Sequence, residues 1–226
     1  MKISVLGAGK TGGKVVEMLG DHLLHTFDEE HPPTLEKLKE SDGVIVFVPG
    51  DAVSDILDLV IESGVPAAWG STGFDWPEDL DDKVRSVGSK WVLATNFSLG
   101  MNIIRNSIKA ISAGSAILKD PAFHIHEVHH IHKKDAPSGT ALSWKEWLDK
   151  ACKVTSAREG DVNGIHELTV ETDTERITLK HEALDRSIFA EGAIWAMEQL
   201  LNNLTLNDGV YTFGQLFDHI MKESKS

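Results

Sequence analysis

Five cationic or titratable side chains stand close together in one short stretch of the chain: His129, His130, His132, Lys133 and Lys134. The protein as a whole carries a formal net charge of -13, so this local positive charge indicates a site that holds an anion. A histidine titrates near neutral pH and can act as an acid or a base. A lysine ammonium can neutralise a carboxylate or deliver a proton. The chemistry on offer is therefore proton transfer to or from an anionic ligand.

A second anion-binding feature follows directly in Pro137-Ser138-Gly139-Thr140. The apolar residues after it predict a helix with Ser138 as its N-cap and with a buried face formed by Leu142, Trp144, Trp147, Leu148 and Ala151. Amide groups at the start of such a helix attract an anion, and glycine at 139 lets a ligand oxygen approach the backbone. Together the two features indicate a small dianion, with one carboxylate at the helix start and the other on the cationic side chains.

Two other interpretations of this stretch are weaker. A solvated basic turn would account for Lys134 and His132, which we leave outside the site, but not for the helix start beside it. A zinc site could recruit His124 and His126, which would share one strand face. No cysteine lies nearby, however, and the lysines would repel a cation. We therefore expect no metal and treat both histidines as ordinary sheet residues.

The first residues of the chain are typical of a dinucleotide-binding turn. A short apolar strand that ends at Leu6 leads into a glycine-rich turn and then into apolar residues at helical spacing. In this G-x-G-x-x-G fingerprint, backbone amides receive the pyrophosphate, whereas the same glycines without the strand and helix would be a weak signal. The expected contacts are Gly7, Ala8, Gly9, Lys10, Thr11 and Gly12.

An acidic residue after the second predicted strand is placed to accept hydrogen bonds from the adenosine ribose. Asp28 has about the usual spacing, and Glu29 and Glu30 follow it with no arginine or lysine nearby. Because no cation is available for a 2′-phosphate, the segment favours NADH over NADPH. Two alternatives stay open: Asp28 only caps the following turn, or Glu29 takes the ribose.

Strands and helices alternate through the first part of the chain. Residues 43–48 form a continuous apolar run typical of a buried parallel strand, and a helix over 51–63 and a strand over 65–69 follow. The alternation predicts an α/β fold, a Rossmann-like doubly wound parallel sheet with ligands at the carboxyl ends of its strands. Two strand ends supply further candidate cofactor contacts: Gly70, Ser71 and Thr72, and then Ala94, Thr95, Asn96 and Phe97. Asn96 either hydrogen-bonds the nicotinamide carboxamide or its surrounding loop, or only shapes the turn from strand to helix.

The pattern changes after Ser98. A helix over 99–112 precedes an alternating strand over 122–128, and strands over 164–171 and 176–181 follow without a helix between them. This predicts a second, α+β domain with a mixed, largely antiparallel sheet. We place it at 99–186, and the dinucleotide-binding domain at 1–98 with 187–226.

Composition excludes several classes of partner. The acidic balance argues against nucleic acids and anionic membranes, because both attract proteins with surplus lysine and arginine. No apolar run is long enough to span a bilayer, and the first residues predict a strand instead of a signal peptide. The single Cys152 excludes an internal disulfide and fits a reducing compartment. A soluble cytoplasmic protein is therefore expected.

The run HHIHKKDAPSGTA at 129–141 resembles the signature of the 4-hydroxy-tetrahydrodipicolinate reductase family, also called dihydrodipicolinate reductase. Other segments similar to the family are Gly70-Ser71-Thr72-Gly73, in which a serine replaces a threonine, residues 94–102, Arg158-Glu159-Gly160 with Gly164-Ile165-His166-Glu167, and residues 181–193. The last segment contains Arg186 and Phe189. Either Arg186 binds an anion and Phe189 packs on a ring, or both residues only hold the two domains together.

The resemblance implies roles for single residues of this chain. His129 would be the acid/base, Lys133 the proton donor, His130 a substrate contact, and Gly139 and Thr140 the backbone groups that bind a carboxylate. The implied cofactor is NADH or NADPH, and the implied substrate is a small dicarboxylate. The second domain would bind substrate, and its sheet would build a homotetramer. The implied reaction reduces 4-hydroxy-tetrahydrodipicolinate to tetrahydrodipicolinate with loss of water, in lysine and diaminopimelate biosynthesis.

The chain departs from the family in one place. The span between the glycine motif and Gly43 is short and lacks the basic residue often found after the second strand, which leaves cofactor preference open. Two alternative functions remain. A dehydrogenase of another amino or imino acid is disfavoured because the loop and helix start suit two carboxylates. A dinucleotide sensor without catalysis would have no need of both His129 and Lys133.

Overall fold

A computed structural model describes residues 1–224 of the protein. Its strands are β1 (Ile3–Leu6), β2 (Leu23–Phe27), β3 (Gly43–Val46), β4 (Ala67–Trp69), β5 (Lys90–Leu93), β6 (Ala122–His129), β7 (Lys153–Arg158), β8 (Ile165–Glu171), β9 (Arg176–Glu182) and β10 (Gly209–Thr212). Its α-helices are α1 (Gly12–Leu19), α2 (Leu35–Lys39), α3 (Val53–Ser63), α4 (Leu80–Ser86), α5 (Leu99–Gly114), α6 (Gly139–Leu148), α7 (Ser187–Asn202) and α8 (Phe213–Glu223). None of the helices within residues 1–224 is long and apolar enough to cross a membrane.

These elements form two compact units. One is Met1–Ser98 with the chain from Ser187 onward, and the other is Leu99–Arg186. The first unit is built on a six-stranded sheet in the order β10-β5-β4-β3-β1-β2, in which every neighbouring pair is parallel. β1 and β3 are buried along their whole length, as their continuous apolar sequences require. The predicted doubly wound parallel sheet is confirmed.

The second unit is built on a four-stranded sheet in the order β7-β6-β8-β9. β6 and β7 run parallel, and the other two pairs are antiparallel. One face of the sheet, with Ile125 and Leu168, packs on α5 and α6 through Ile108 and Trp144. The predicted mixed sheet is confirmed. Strand β7 was not predicted from the sequence, because no residue of this edge strand is buried.

Helix α6 begins as predicted and ends earlier. Ser138 is its N-cap, and the Ser138 hydroxyl accepts a hydrogen bond from the amide of Ala141. The predicted apolar face is wrong at two positions, because Leu142 is 51% exposed and Ala151 lies beyond the end of the helix at Leu148. Asp149 stops the helix in the left-handed conformation, with φ of 48°.

Candidate active site

The end of strand β6 carries the first site residues. Its side chains alternate between the two faces, so Ile125, Glu127 and His129 all point into the interior of the second unit and are buried. A loop over residues 130–138 then leads to helix α6. Glycine at 139 leaves the start of this helix open, since a Cβ at Gly139 would meet no atom within 4 Å.

Glu127 is a fully buried carboxylate with partners on both oxygens. Its Oε2 is in contact with Nδ1 of His129. Its Oε1 accepts hydrogen bonds from Nη1 and Nη2 of Arg158, each at 3.0 Å, and from the Ser138 amide at 3.3 Å. Burial by itself would raise the pKa of the carboxyl, but hydrogen bonds from Ser156, His129 and Arg158 outweigh it and leave the pKa below its usual value. Glu127 is therefore an anion at neutral pH.

Arg158 ties the basic loop to this carboxylate. Its Nε donates to the carbonyl oxygen of Lys133 at 3.3 Å, and its Nη2 donates to that of Asp135. The next residue of its strand continues the connection, because the Glu159 amide donates to the His129 carbonyl at 2.8 Å. The backbone that carries Lys133 is thus held by the same guanidinium that binds Glu127.

A second histidine, His166 on β8, lies beside His129. The two rings meet edge to face, with centroids 5.0 Å apart. The Ser138 hydroxyl accepts from the Ala141 amide and is also hydrogen-bonded to the His166 ring, with Oγ and Nε2 3.1 Å apart. Burial, reinforced by the nearby His129, lowers the pKa of His166 to about 4. His166 is therefore neutral in the folded protein at physiological pH.

Burial also lowers the pKa of His129, although its contact with Glu127 opposes the shift. The positive charges of Lys133 and Arg158 act in the same direction as burial. A neutral imidazole results. Gly164 lies next to the other ring nitrogen of His129. A Cβ at this position would be only 3.0 Å from Nε2.

The exposed edge of the loop carries the cationic side chains. Lys133 has 24% of its side chain exposed, and its Nζ lies 2.9 Å from the Asp135 carboxylate, whereas Lys134 is exposed. His130 is partly buried, and its Nδ1 has no hydrogen-bond partner among residues 1–224. The open helix start at Gly139 and the partly exposed Lys133 ammonium are suited to an anionic ligand, whereas Nδ1 of His130 is itself buried.

The geometry disfavours a metal at this site. Glu127, His129 and His166 form the one group in the described part of the chain whose ligand atoms could surround an ion, all within 4.8 Å of one another. The Glu127 carboxylate is already paired with Arg158. The positive charges of Arg158 and Lys133 would also repel a cation. Elsewhere on β6, His124 and His126 both hydrogen-bond the hydroxyl of Thr155.

The glycine-rich turn of the first unit is shaped by contacts that admit only glycine at two positions. Gly7 has φ of +87°, and a Cβ there would lie 2.6 Å from the carbonyl oxygen of Phe47. A Cβ at Gly12 would lie 1.8 Å from the carbonyl oxygen of Gly7. A Cβ at Gly9 would instead project into open space. The turn therefore offers an open backbone cradle, followed by Lys10, Thr11 and the start of α1.

The other candidate cofactor segments follow β2, β4 and β5, which end at the same edge of the sheet as β1 because all four strands are parallel. Asp28 caps its own turn, since its Oδ1 accepts from the amides of Glu30 and His31 at 3.0 and 2.8 Å. Asn96 caps its turn in the same way, since its Oδ1 accepts from the amide of Ser98 at 2.8 Å. The alternative of turn formation is thus observed at both residues.

The segments after β4 and β5 differ in what they can present to a ligand. Ser71 is 6% exposed, and its hydroxyl has no hydrogen-bond partner among the described residues. Phe97 is 1% exposed, and its ring packs against Phe47 and Phe213. At position 97, therefore, only the backbone is left to contact a ligand.

Three polar residues of the site were not singled out as site residues from the sequence: the buried Glu127 and His166, and the partly buried Arg158. One signal was available for Glu127, because strand alternation places this acid on the same face as Ile125, where a charge needs a partner. Arg158 and His166 could not be found in that way. Their approach depends on the pairing of β6 with β7 and β8, which no local pattern reveals.

Comparisons with known proteins identify the family of the chain. The family model described as "Dihydrodipicolinate reductase, C-terminus" matches residues 100–217. A 4-hydroxy-tetrahydrodipicolinate reductase from Bdellovibrio bacteriovorus is 34% identical over 195 residues, which cover 84% of this chain and 81% of that protein. One from Alkaliphilus oremlandii is 32% identical over 199 residues, which cover 78% of this chain and 80% of that protein.

A solved structure shares the fold. It is the dipicolinate-bound dihydrodipicolinate reductase from Paenisporosarcina sp. TG-14, with a TM-score of 0.73 and 17% sequence identity. The match covers 94% of this chain and 97% of that one. The likeness therefore extends over both units, each with its own sheet.

Proposed function

We propose, since the chain belongs to the 4-hydroxy-tetrahydrodipicolinate reductase family of oxidoreductases, that it reduces 4-hydroxy-tetrahydrodipicolinate to tetrahydrodipicolinate with loss of water. Enzymes of this name act in lysine and diaminopimelate biosynthesis. The observation that carries the proposal is the basic loop, in which His129 and Lys133 are both fixed by the Glu127 and Arg158 pair next to the open start of α6.

The substrate is a dicarboxylate, and the loop can compensate two negative charges. One carboxylate would bind the amides of Gly139 and Thr140 at the start of α6, where the helix dipole favours an anion. The other would bind the Lys133 ammonium, and His130 of the same loop would be a further contact. That the solved relative carries dipicolinate, another small dicarboxylate, supports this assignment.

Two groups of the chain would handle protons. His129 is neutral at physiological pH, so its ring can take up a proton and return it later in the reaction. Lys133 is cationic and would deliver the proton that accompanies reduction. Its Asp135 partner holds the ammonium close to the loop at 2.9 Å until substrate arrives.

The residues of the first unit fit a dinucleotide. The open backbone at Gly9, between the two crowded glycines Gly7 and Gly12, leaves room for a pyrophosphate beside the backbone amides. Ala8, Lys10 and Thr11 would complete that contact, and the segments Gly70-Ser71-Thr72 and 94–97 would line the nicotinamide side. When bound, the reduced nicotinamide supplies the hydride.

The proposed cofactor preference is NADH over NADPH. Asp28, Glu29 and Glu30 form an acidic turn after β2, and three carboxylates there would repel a 2′-phosphate. Oδ1 of Asp28 already accepts the hydrogen bonds of the turn. Its second oxygen, Oδ2, and the Glu29 carboxylate are therefore the candidate acceptors for a ribose hydroxyl.

We further propose that the enzyme is a cytoplasmic homotetramer. The family resemblance supports the tetramer, with the sheet of the second unit as the contact. The single thiol of the sequence, Cys152, suits a reducing compartment.

The test of the proposed function is an assay of nicotinamide oxidation with freshly generated 4-hydroxy-tetrahydrodipicolinate, run with NADH and with NADPH. We expect turnover, with the higher kcat/KM for NADH. A higher kcat/KM for NADPH would refute only the cofactor preference. Failure to turn over with either cofactor, in protein that still binds a dinucleotide, would refute the reductase assignment and favour a dinucleotide sensor or another substrate.

A further inference from the structure

We propose that Glu127 is a positioning residue that fixes His129 in one tautomer, with the hydrogen on Nδ1 and a bare Nε2 as the proton-exchanging atom. This inference deepens the proposed reductase function and rests on it for its catalytic meaning. The structural part of the inference does not depend on any substrate.

Glu127 and His129 are neighbours because of the strand that carries them. Residues two positions apart on β6 point to the same face, and both side chains enter the buried side of the sheet. Glu127 is 0% exposed and His129 is 8% exposed, so water does not compete for their contact. Oε2 of Glu127 and Nδ1 of His129 are in direct hydrogen-bond contact.

The charge on Glu127 decides which atom carries the hydrogen. An ionised carboxylate can only accept hydrogen bonds, so Nδ1 of His129 must be the donor. A neutral imidazole with its hydrogen on Nδ1 has its lone pair on Nε2. Arg158 keeps the carboxylate ionised, because both of its terminal nitrogens donate to Oε1 at 3.0 Å.

Charged and titratable groups from the surrounding elements act on the same imidazole. Glu127 on β6 favours its protonation, whereas Lys133 in the loop and Arg158 on β7 oppose it. The ring of His166 on β8 meets the imidazole edge to face, and His181 on β9 lies opposite His166 in the sheet. Gly164 leaves Nε2 uncrowded, since any Cβ there would lie 3.0 Å from it.

A Glu127→Gln substitution should reverse the tautomer instead of merely weakening the contact. Arg158 has only donors, so it will claim the amide oxygen of the glutamine. The amide NH2 group is then left facing Nδ1 of His129 and can only donate to it. Nδ1 must become the acceptor, and the hydrogen moves to Nε2. A bare Nε2 would no longer be available for proton exchange.

The matched control is Glu167→Gln. Glu167 lies on β8 of the same sheet, but on the opposite face from Glu127, and it is partly exposed. The substitution removes the same charge and adds the same amide without touching His129.

The experiment measures imidazole nitrogen chemical shifts in the full chain labelled with 15N-histidine, with His129 assigned from the His129→Gln spectrum. We expect a protonated Nδ1 and a bare Nε2 in the wild type and in Glu167→Gln, and the reverse in Glu127→Gln. We also expect kcat to fall by about 10² to 10⁴-fold in Glu127→Gln, the range for loss of a correctly placed base, with dinucleotide affinity unchanged. A purely structural Glu127 would leave the tautomer as it is.

A wild-type spectrum with the hydrogen on Nε2 would overturn the inference, and so would an unchanged tautomer in Glu127→Gln. If Glu127→Gln does not fold, the wild-type tautomer alone decides. If the tautomers behave as expected but no protein form turns over substrate, the proposed function fails while the hydrogen-bond assignment stands. The two failures are therefore distinguishable.

Discussion

Lys133 and Lys134 are adjacent in sequence, yet their surroundings differ sharply. The carbonyl of Lys133 is held by Arg158, and its ammonium lies 2.9 Å from Asp135, with only 24% of the side chain exposed. Lys134 is exposed to solvent. Fixed charges placed at a site contribute to binding and proton transfer, whereas a solvated ammonium contributes little.

A pair of substitutions uses this difference. Lys133→Ala is expected to lower kcat/KM for 4-hydroxy-tetrahydrodipicolinate by about 10²-fold or more, because it removes a proton donor and a carboxylate partner. Lys134→Ala is expected to change it by less than about threefold. Steady-state kinetics with saturating NADH would measure both. Equal losses in the two variants would contradict the placement of Lys133 in the site.

His166 makes stability depend on pH. Its pKa falls from 6.5 to about 4 on folding, chiefly through burial. Between pH 6.5 and 4 the unfolded chain therefore binds a proton that the folded chain does not, so stability is lost as the pH falls through this window. A shift of that size corresponds to a loss of about 2 kcal/mol between pH 7 and pH 5.

The measurement is urea unfolding of the wild type and of His166→Gln at pH 7 and pH 5. The urea concentration at the unfolding midpoint should fall more from pH 7 to pH 5 in the wild type than in the variant, because the glutamine does not titrate. The exposed His132→Gln serves as the control and should follow the wild type. An equal pH dependence in His166→Gln and the wild type would show that His166 is not the titrating group.

Single residues of the site differ in how far the sequence reveals them. The histidines and lysines of the loop could be predicted because their density in an acidic chain is itself a signal. Glu127, Arg158 and His166 meet only through strand pairing, with Glu127 opposite Ser156 on β7 and opposite His166 on β8. Register across three strands is a tertiary property, so local patterns could not supply these partners.

Among the elements, α6 connects the site to the fold. Its N-cap Ser138 accepts from the Ala141 amide at 3.2 Å and also contacts His166 at 3.1 Å. Ser138→Ala removes both bonds and should lower the free energy of unfolding by about 1 to 3 kcal/mol. Ser143→Ala, on the exposed side of the same helix, should change it by less than about 0.5 kcal/mol. Urea unfolding at pH 7 would compare them, and similar losses would contradict the capping role.

Elements with strong patterns were predictable, and edge elements were not. β3 appears in the sequence as an uninterrupted apolar run, because both of its faces are buried. β7 carries no such run, since its side chains are only partly buried at the edge of the second sheet. On α6 the helical spacing of Leu142 suggested burial, but the neighbouring elements leave that position 51% exposed.

At the scale of the whole molecule, net charge bears on assembly. A chain with a net charge of -13 repels its own copies, so a stable oligomer requires a specific interface. We expect light scattering after size exclusion to give the mass of four 24.8 kDa chains. A mass of one chain would refute the tetramer.

The central claim is that the basic loop after β6 is the catalytic site of a dicarboxylate reductase. The most direct test is turnover of 4-hydroxy-tetrahydrodipicolinate with NADH by the wild type, His129→Gln and the exposed control His132→Gln. We predict that kcat falls by about 10² to 10⁴-fold in His129→Gln and stays near the wild-type value in His132→Gln. Near wild-type turnover by folded His129→Gln would contradict the claim.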